Sequence, residues 1–174
     1  MFRKIIYSIL ILAVLVGGFT LRTLWLAGAF TQVEPRSVGT CHWVKGPVGP
    51  EDITIHPKTG IAYISAADRR AIENEHQARP GAIFSYDLNR PDAQPVNITP
   101  NADTSFQPHG ISLWVDRDGS DALFVINHQP LPDGTRKNSV QIFNFVNGGL
   151  EMHATIGSPL LVMPNDLVAV GPDR

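Results

Sequence analysis

Two histidines, His109 and His128, lie at the two ends of a stretch whose pattern is that of a β-hairpin. Apolar residues alternate with others from 111 to 115, and the chain returns through an apolar run at 122–126. Between them, Asp118-Gly119 is the dipeptide that a type I′ turn favours, because both central residues of that turn need positive φ. A turn centred there sets His109 directly opposite His128. Opposed Cβ atoms lie about 4.5–5.5 Å apart, so the sequence predicts two imidazoles in contact at one end of the hairpin.

A pair of imidazoles in contact can do acid–base chemistry near neutral pH. One ring takes a proton from water while the other sets its orientation and basicity. The alternative is a pair of histidines that are merely satisfied in the core or at its rim, and the hairpin alone leaves both interpretations open. A serine esterase is not indicated, because Ser65, Ser112 and Ser139 lack the Gly-x-Ser-x-Gly context of such enzymes.

Two pairs of adjacent oxygen-bearing residues, Glu51-Asp52 and Asn165-Asp166, form a second candidate group. Neighbouring side chains on an extended segment point to opposite sides, so each pair suits two different ions better than one. Calcium takes about 6–8 oxygen ligands, commonly carboxylates, amide oxygens and backbone carbonyls. In isolation, each pair could equally be a solvated strand end.

These residues stand at equivalent places in a repeat. The units open with Pro50-Glu51-Asp52-Ile53, Pro108-His109-Gly110-Ile111 and Pro164-Asn165-Asp166-Leu167. Four short strands recur about every 56 residues without a convincing long helix, which is typical of a β-propeller. The first strand of each propeller blade lines a central channel. We therefore expect an all-β fold in which the chemically interesting residues of these openings surround one mouth of that channel: Glu51, Asp52, His109, Asn165 and Asp166.

The repeat gives the domain boundaries after residue 30. A linker at 31–49 precedes a partial propeller at 50–174, with blade 1 at 50–100, blade 2 at 107–158 and the start of blade 3 at 164–174. The polar stretch 66–80 could hold a short helix, but its charges favour a solvated loop, and 165–170 is predicted to be a strand. Four further histidines are expected at the surface: His42, His56, His76 and His153. Two units and the start of a third cannot close a ring, so the chain is expected to be the N-terminal part of a longer protein.

Residues 1–30 form a separate apolar segment. Arg3 and Lys4 precede an uncharged run at 5–21, and the chain is apolar again after Arg22. This pattern predicts an apolar helix that serves as a signal peptide or a signal anchor. Ala27-Gly28-Ala29 resembles a cleavage site, whereas the length of the run favours an uncleaved anchor, and both alternatives stay open. Either way the rest of the chain is exported, as a membrane-anchored domain or a secreted protein.

Composition excludes several classes of function. The 174 residues are 43% hydrophobic and 17% charged, which is typical of a globular chain with a core. A net charge of −2 without a basic run gives no electrostatic surface for nucleic acid. Cys41 is the single cysteine, so cysteine-based zinc clusters and an internal disulfide are excluded, although a lone cysteine is unusual in an exported protein.

Four motifs in order resemble the paraoxonase/arylesterase family. They are Glu-Asp-Ile at 51–53, Phe-x-Pro-His-Gly-Ile-Ser at 106–112, Val-x-Asn-His-x-Pro at 125–130 and Pro-Asn-Asp-Leu-Val-Ala-Val-Gly-Pro at 164–172. The resemblance covers residues 41–174, nearly all of the exported part. It implies a six-bladed β-propeller with two Ca²⁺ ions in its channel that hydrolyses lactones and aryl esters.

The resemblance also implies roles for individual residues. Glu51 and Asn165 would bind the catalytic calcium, and His109 and His128 would form the histidine dyad. Asp52, Asp166 and the backbone carbonyl of Ile111 would hold the structural calcium. Cys41 matches the first half of a family disulfide whose second cysteine is absent from this chain. Three further ligands of the catalytic calcium come from the family's second half, which this chain lacks.

We therefore expect a calcium-dependent hydrolase of small-molecule lactones and aryl esters, with a membrane or lipid contact through its N-terminal segment. One alternative is a non-catalytic propeller scaffold that calcium stabilises. Another is an inactive, truncated form of the enzyme.

Overall fold

The structure, a computed structural model, describes residues 2–34, 36, 38–75, 77 and 79–174. These residues fall into two compact units, Met1–His42 and Trp43–Arg174. His76, one of the histidines expected at the surface, lies outside the described residues. His42 and His153 are exposed, as expected.

The first unit contains one helix, α1, from Phe2 to Leu26. Its 25 residues have a mean hydropathy of 2.2 over the most apolar window, and none of them is buried. At about 1.5 Å per residue such a helix exceeds the roughly 30 Å hydrocarbon thickness of a bilayer. The predicted apolar helix is confirmed. Its length and composition would let it cross a membrane, and an N-terminal signal sequence has the same properties.

The second unit contains two antiparallel sheets of four strands, each with its strands adjacent in chain order. This is the arrangement that the repeat predicts for blades, whereas a closed ring and the number of blades stay predictions. The first sheet consists of β1 Pro50–Ile55, β2 Ile61–Ala66, β3 Ala82–Asp87 and β4 Val96–Asn97. The second consists of β5 Pro108–Trp114, β6 Ala122–Pro130, β7 Arg136–Val146 and β8 Gly149–Ile156.

The main core lies between the two sheets. Side chains of β6 alternate between its faces, so Leu123 and Val125 pack towards the first sheet with Ile83, whereas Phe124 belongs to a second cluster. Leu123, Val125 and Ile83 are fully buried. Burying a side chain of this size stabilises a fold by about 1.5–3 kcal/mol, so contact between the sheets is a major source of stability.

The hairpin of β5 and β6 is confirmed, but its predicted turn and register are wrong. Trp114 pairs with Ala122, so residues 115–121 form a long loop and not a two-residue turn. Asp side chains shape this loop: Asp121 Oδ1 accepts the N–H of Asp116 and Asp118 Oδ1 accepts the N–H of Ser120. These local bonds compete with a tight turn. A further register shift lies at the start of β5, between Pro108 and Ile111.

The stretch after β2 contains a helix, α2, from Arg69 to Glu75. The favoured prediction for these residues, a solvated loop, is therefore wrong. The reason is a helix cap, because Asp68 Oδ1 accepts the N–H of Ala71 at 3.1 Å. Asp is among the preferred residues for this position. Ala71 is buried, so α2 also packs against the rest of the unit.

Residues 165–170, predicted to open the third unit as a strand, pair with no strand among the described residues and lie against β5, so the third unit stays a prediction. Ala169 N–H donates to Ser112 Oγ at 3.0 Å, and Leu167 and Ala169 pack on the second cluster. The segment comes closest at Gly110. A Cβ added there would lie 2.4 Å from the carbonyl oxygen of Asn165 and 2.8 Å from Cα of Asp166.

His56 is buried, contrary to its expected place at the surface. Its Nδ1 accepts the backbone N–H groups of Lys58 and Thr59, and its Nε2 lies 2.9 Å from Asp121 Oδ2. Since Nδ1 is an acceptor, Nε2 carries the proton and donates it to Asp121. This bond joins the turn after β1 to the loop before β6 and so links the two sheets.

We predict that Gly110→Ala destabilises the protein by about 1–3 kcal/mol, the usual cost of overpacking, because the new methyl group collides with the backbone at 165–166. The measurement is the urea midpoint of unfolding. The matched control is Gly157→Ala, since a Cβ at Gly157 meets nothing within 4 Å. Equal midpoints for the two variants would contradict the close approach at Gly110.

We predict that Asp121→Ala destabilises the protein by about 1–3 kcal/mol, because the Nε2–H of His56 then stays buried without an acceptor. The control is Asp118→Ala in the same loop, whose carboxylate accepts the backbone N–H and the hydroxyl of Ser120. Thermal unfolding of both variants checks the prediction. If Asp118→Ala lowers the midpoint as much as Asp121→Ala, the bond between His56 and Asp121 does not stabilise the contact between the sheets.

Candidate active site

The starts of β1 and β5 are joined by one carboxylate and one hydroxyl. Asp52 Oδ2 accepts the backbone N–H of Ile111 at 2.8 Å. Ser65 Oγ, which is fully buried, accepts the N–H of Asp52 at 3.1 Å and donates to the carbonyl of His109 at 2.5 Å. Asp52 is therefore a structural bridge and not a freely solvated strand end.

The rings of His109 and His128 are in contact, as predicted. Their centroids are 4.9 Å apart and their planes meet at 64°, an edge-to-face arrangement. The pairing is diagonal and not directly across, because the N–H of His128 bonds the carbonyl of Gln107. Both rings are largely sheltered from solvent, with 16% of the His109 side chain exposed and His128 as a whole 8% exposed.

Asn138 on β7 fixes the orientation of His128. The amide nitrogen of Asn138 donates to the carbonyls of Leu161 and Val162, which leaves its Oδ1 to face Nδ1 of His128 at 2.7 Å. Nδ1 of His128 therefore carries a proton. Asn138 is a member of the site that no sequence motif indicates, and its place opposite His128 in the β6–β7 register is the signal that identifies it.

Burial lowers the pKa of His128 below its usual value near 6.5. The hydrogen bond with Asn138 opposes this shift in part, and the neighbouring charges of His109 and Arg136 lower the pKa further. A buried imidazole loses hydration more in its charged form. His128 is therefore neutral at pH 7.

Glu51 and Asn165 meet at the same nitrogen of His109. Nε2 of His109 lies 2.9 Å from Asn165 Oδ1 and 3.4 Å from Glu51 Oε1. The other oxygen of Glu51, Oε2, is paired with Nη2 of Arg69. Residues that open the first, second and third units thus converge at one point, as the repeat predicts.

Asp166 and Ile111 lie on opposite sides of the close approach at Gly110. Asp166 Oδ1 accepts the N–H of Leu167 at 2.7 Å, and Asp52 Oδ1 accepts that of Ile53 at 2.8 Å. In the described part of the chain no hydrogen bond joins Asp166 to Asp52. The structure therefore brings the Glu51, His109, His128 and Asn165 side chains into direct contact and Asp166 only into their neighbourhood.

The predicted calcium ligands are suited to a hard cation in chemical type. Glu51, Asp52, Asn165, Asp166 and the Ile111 carbonyl offer only oxygen donors, which calcium prefers. No three His, Cys, Asp or Glu side chains among the described residues form a group that could hold a metal ion. That finding concerns only these four side-chain types. The predicted catalytic calcium site also uses Asn165, and the predicted structural calcium site also uses the backbone carbonyl of Ile111. The further ligands of a shell of about 6–8 oxygens would be water or other residues.

Arg69 also lies at this site, which the sequence does not indicate because the charges around it favour a solvated loop. It lines a recess of about 100 Å³ beside both histidines, together with Arg136 and apolar residues. Its Nη1 is buried and has no hydrogen-bond partner in the part of the chain that the structure describes. Cys41 is exposed in the first unit, and its pairing stays a prediction.

Comparison with known proteins gives consistent matches. The family model for arylesterases matches residues 32–174. The chain is 38% identical over 152 residues to serum paraoxonase/arylesterase 2 of Gallus gallus, covering 83% of this chain and 41% of that protein. It is 36% identical over 167 residues to serum paraoxonase/lactonase 3 of Homo sapiens, covering 92% of this chain and 46% of that protein.

A third relative, serum paraoxonase/arylesterase 1 of Homo sapiens, is 36% identical over 154 residues, which are 84% of this chain and 42% of that protein. The chain thus spans less than half the length of the relatives it matches. The family model covers most of the chain, and its match includes every residue of the site described above. The chain belongs to the arylesterase family, with the serum paraoxonases as relatives.

Proposed function

We propose that this protein hydrolyses lactones and aryl esters with the help of calcium. The observation that supports the proposal most directly is the contact of the His109 and His128 rings where the oxygens of Glu51 and Asn165 face Nε2 of His109. Its relatives carry arylesterase and lactonase in their names. The substrate would be a small neutral or charged molecule with an activated carboxylic ester.

Glu51 and Asn165 would hold a catalytic calcium, and Asp52, Asp166 and the Ile111 carbonyl a structural one. When bound, such an ion polarises the carbonyl of the ester and stabilises the oxyanion that forms on attack. The two ions would belong to a six-bladed propeller in which the two sheets serve as blades. The same proposal includes a disulfide from Cys41 to a second cysteine. It also includes α1, which would either contact the membrane or be removed when the protein is secreted.

His109 would act as the general base. Its Nε2 faces the amide oxygen of Asn165 and the carboxylate of Glu51 and therefore carries a proton. Nδ1 is then the ring atom that would take a proton from water, and the charge that the ring acquires would lie beside the Glu51 carboxylate. His128 would support it through the edge of its ring. Because His128 is neutral at pH 7, it does not repel the positive charge that His109 acquires. Ser65 and Asp52 would keep β5, and hence His109, in place.

We predict that His109→Gln lowers kcat for phenyl acetate by at least about 100-fold, the smaller end of what a general base contributes, without changing the melting temperature. Asp52→Ala should instead lower the melting temperature, because the N–H of Ile111 and the start of β5 lose their acceptor. The measurements are calcium-dependent turnover and thermal unfolding of the protein at its native length. The control, His153→Gln, replaces an exposed histidine and should change neither.

Full turnover in His109→Gln, with loss of stability in Asp52→Ala, would contradict the catalytic role. The propeller would then be a scaffold that calcium stabilises without performing chemistry.

We predict that stability rises with pH between the folded-state pKa of His128 and its usual value near 6.5. In this window the unfolded chain binds more protons than the folded one, so stability increases as pH rises and is complete above about pH 6.5. Urea midpoints of the wild type from about pH 5 to pH 8 should therefore fall on the acid side, and His128→Gln should show a shallower fall. His153→Gln should keep the wild-type slope, and an unchanged slope in His128→Gln would contradict the lowered pKa.

A further inference from the structure

A small recess opens beside the two histidines, and its charge is one-sided. Its lining includes Arg69 and Arg136 but no aspartate or glutamate. Ile72, Pro130 and Met163 supply apolar surface next to the two guanidinium groups. A recess of this composition is suited to a ligand with an apolar stem and an anionic end.

Arg69 combines a place in the recess lining with an incompletely hydrogen-bonded guanidinium group. One of its terminal nitrogens, Nη2, is paired with Glu51, whereas Nη1 is buried without a partner among the described residues. A buried donor without an acceptor is rare and costly in folded proteins. Glu51 itself does not line the recess. The guanidinium group of Arg69, which lines the recess, therefore has Glu51 as its one acidic partner among the described residues.

Arg136 adds a second positive charge to the same recess. Its only acidic partner in the described residues, Glu73, is distant, with 3.8 Å between Nη2 and Oε1, and the Glu73 side chain is 61% exposed. Such exposed pairs contribute little. The charge of Arg136 is nevertheless felt at the dyad, where it lowers the pKa of His128.

We propose that this recess is an anion subsite and that Arg69 sets a preference for esters or lactones that carry a carboxylate. Guanidinium groups bind carboxylates through two parallel hydrogen bonds and keep their charge at all physiological pH values. The recess adjoins both rings of the dyad. One substrate molecule can therefore place its carboxylate in the recess and its ester bond at the dyad. This inference rests on the proposed function and adds its substrate class.

The test uses the protein at its native length with calcium present and two substrates of equal chain length. Mono-(4-nitrophenyl) glutarate carries a carboxylate, and 4-nitrophenyl pentanoate does not. We expect Arg69→Met to lower the ratio of kcat/KM for the anionic ester to kcat/KM for the neutral ester by at least about tenfold, as expected for loss of a charge-assisted bond, beyond any loss that both esters share through Glu51. Arg69→Lys should restore part of the preference, because it keeps the charge. Arg70→Met, at an exposed neighbour on α2, is the matched control.

Equal losses for both esters in Arg69→Met would mean that Arg69 only maintains the site through Glu51, and this would overturn the subsite while the hydrolase proposal stands. Calorimetric titration with glutarate separates the two proposals further. If neither ester is hydrolysed but glutarate binds the wild type and not Arg69→Met, the anion subsite stands and the proposed function fails. Absence of both hydrolysis and glutarate binding would overturn both.

Discussion

The bond from the backbone N–H of Ile111 to the Asp52 carboxylate is the interaction on which the site depends. It ties the first strand of one sheet to the first strand of the next, and Ser65 completes the link by holding the carbonyl of His109. A partly buried carboxylate that accepts backbone N–H groups is a directional anchor, since hydrogen bonds to charged groups are about twice as strong as neutral ones. The position of the dyad is therefore set by contact between the sheets and not by either sheet alone.

Charge balance explains how several oxygen-rich side chains can gather in a partly buried place. Glu51 is offset by Arg69 and lies within reach of His109, whereas Asp52 is satisfied by backbone N–H groups. A buried charge is tolerated when it is paired and hydrogen-bonded. The same oxygens that pair with these groups are the ones that a cation would use. The site thus combines a buried, neutral His128 with one carboxylate, Glu51, that is paired with a guanidinium group and another, Asp52, that is held by backbone N–H groups.

Much of this could be predicted from the sequence because it depends on periodicity. Alternating strands, the apolar N-terminal helix and the convergence of Glu51, His109 and Asn165 follow from repeats that local pattern reveals. The hairpin register, α2 and the buried His56 could not be predicted in this way. Each depends on a side chain that bonds at a specific distance: Asp118 and Asp121 in the loop, Asp68 at the helix cap, and Asp121 again at His56. Arg69 was missed for the same reason, since its role follows from α2.

The bond between His56 and Asp121 lies at the end of β1 opposite to Asp52, so the two sheets are fastened at both ends of their innermost strands. Both bonds would have to break for one sheet to slide past the other, so they help to hold the two histidines in register. The short helix α2 is not part of either sheet, yet it supplies Arg69 to the recess. In the proposed function, substrate preference and proton transfer would therefore depend on different elements, so that changes in α2 would diversify the substrates while β5 and β6 kept the two histidines in place.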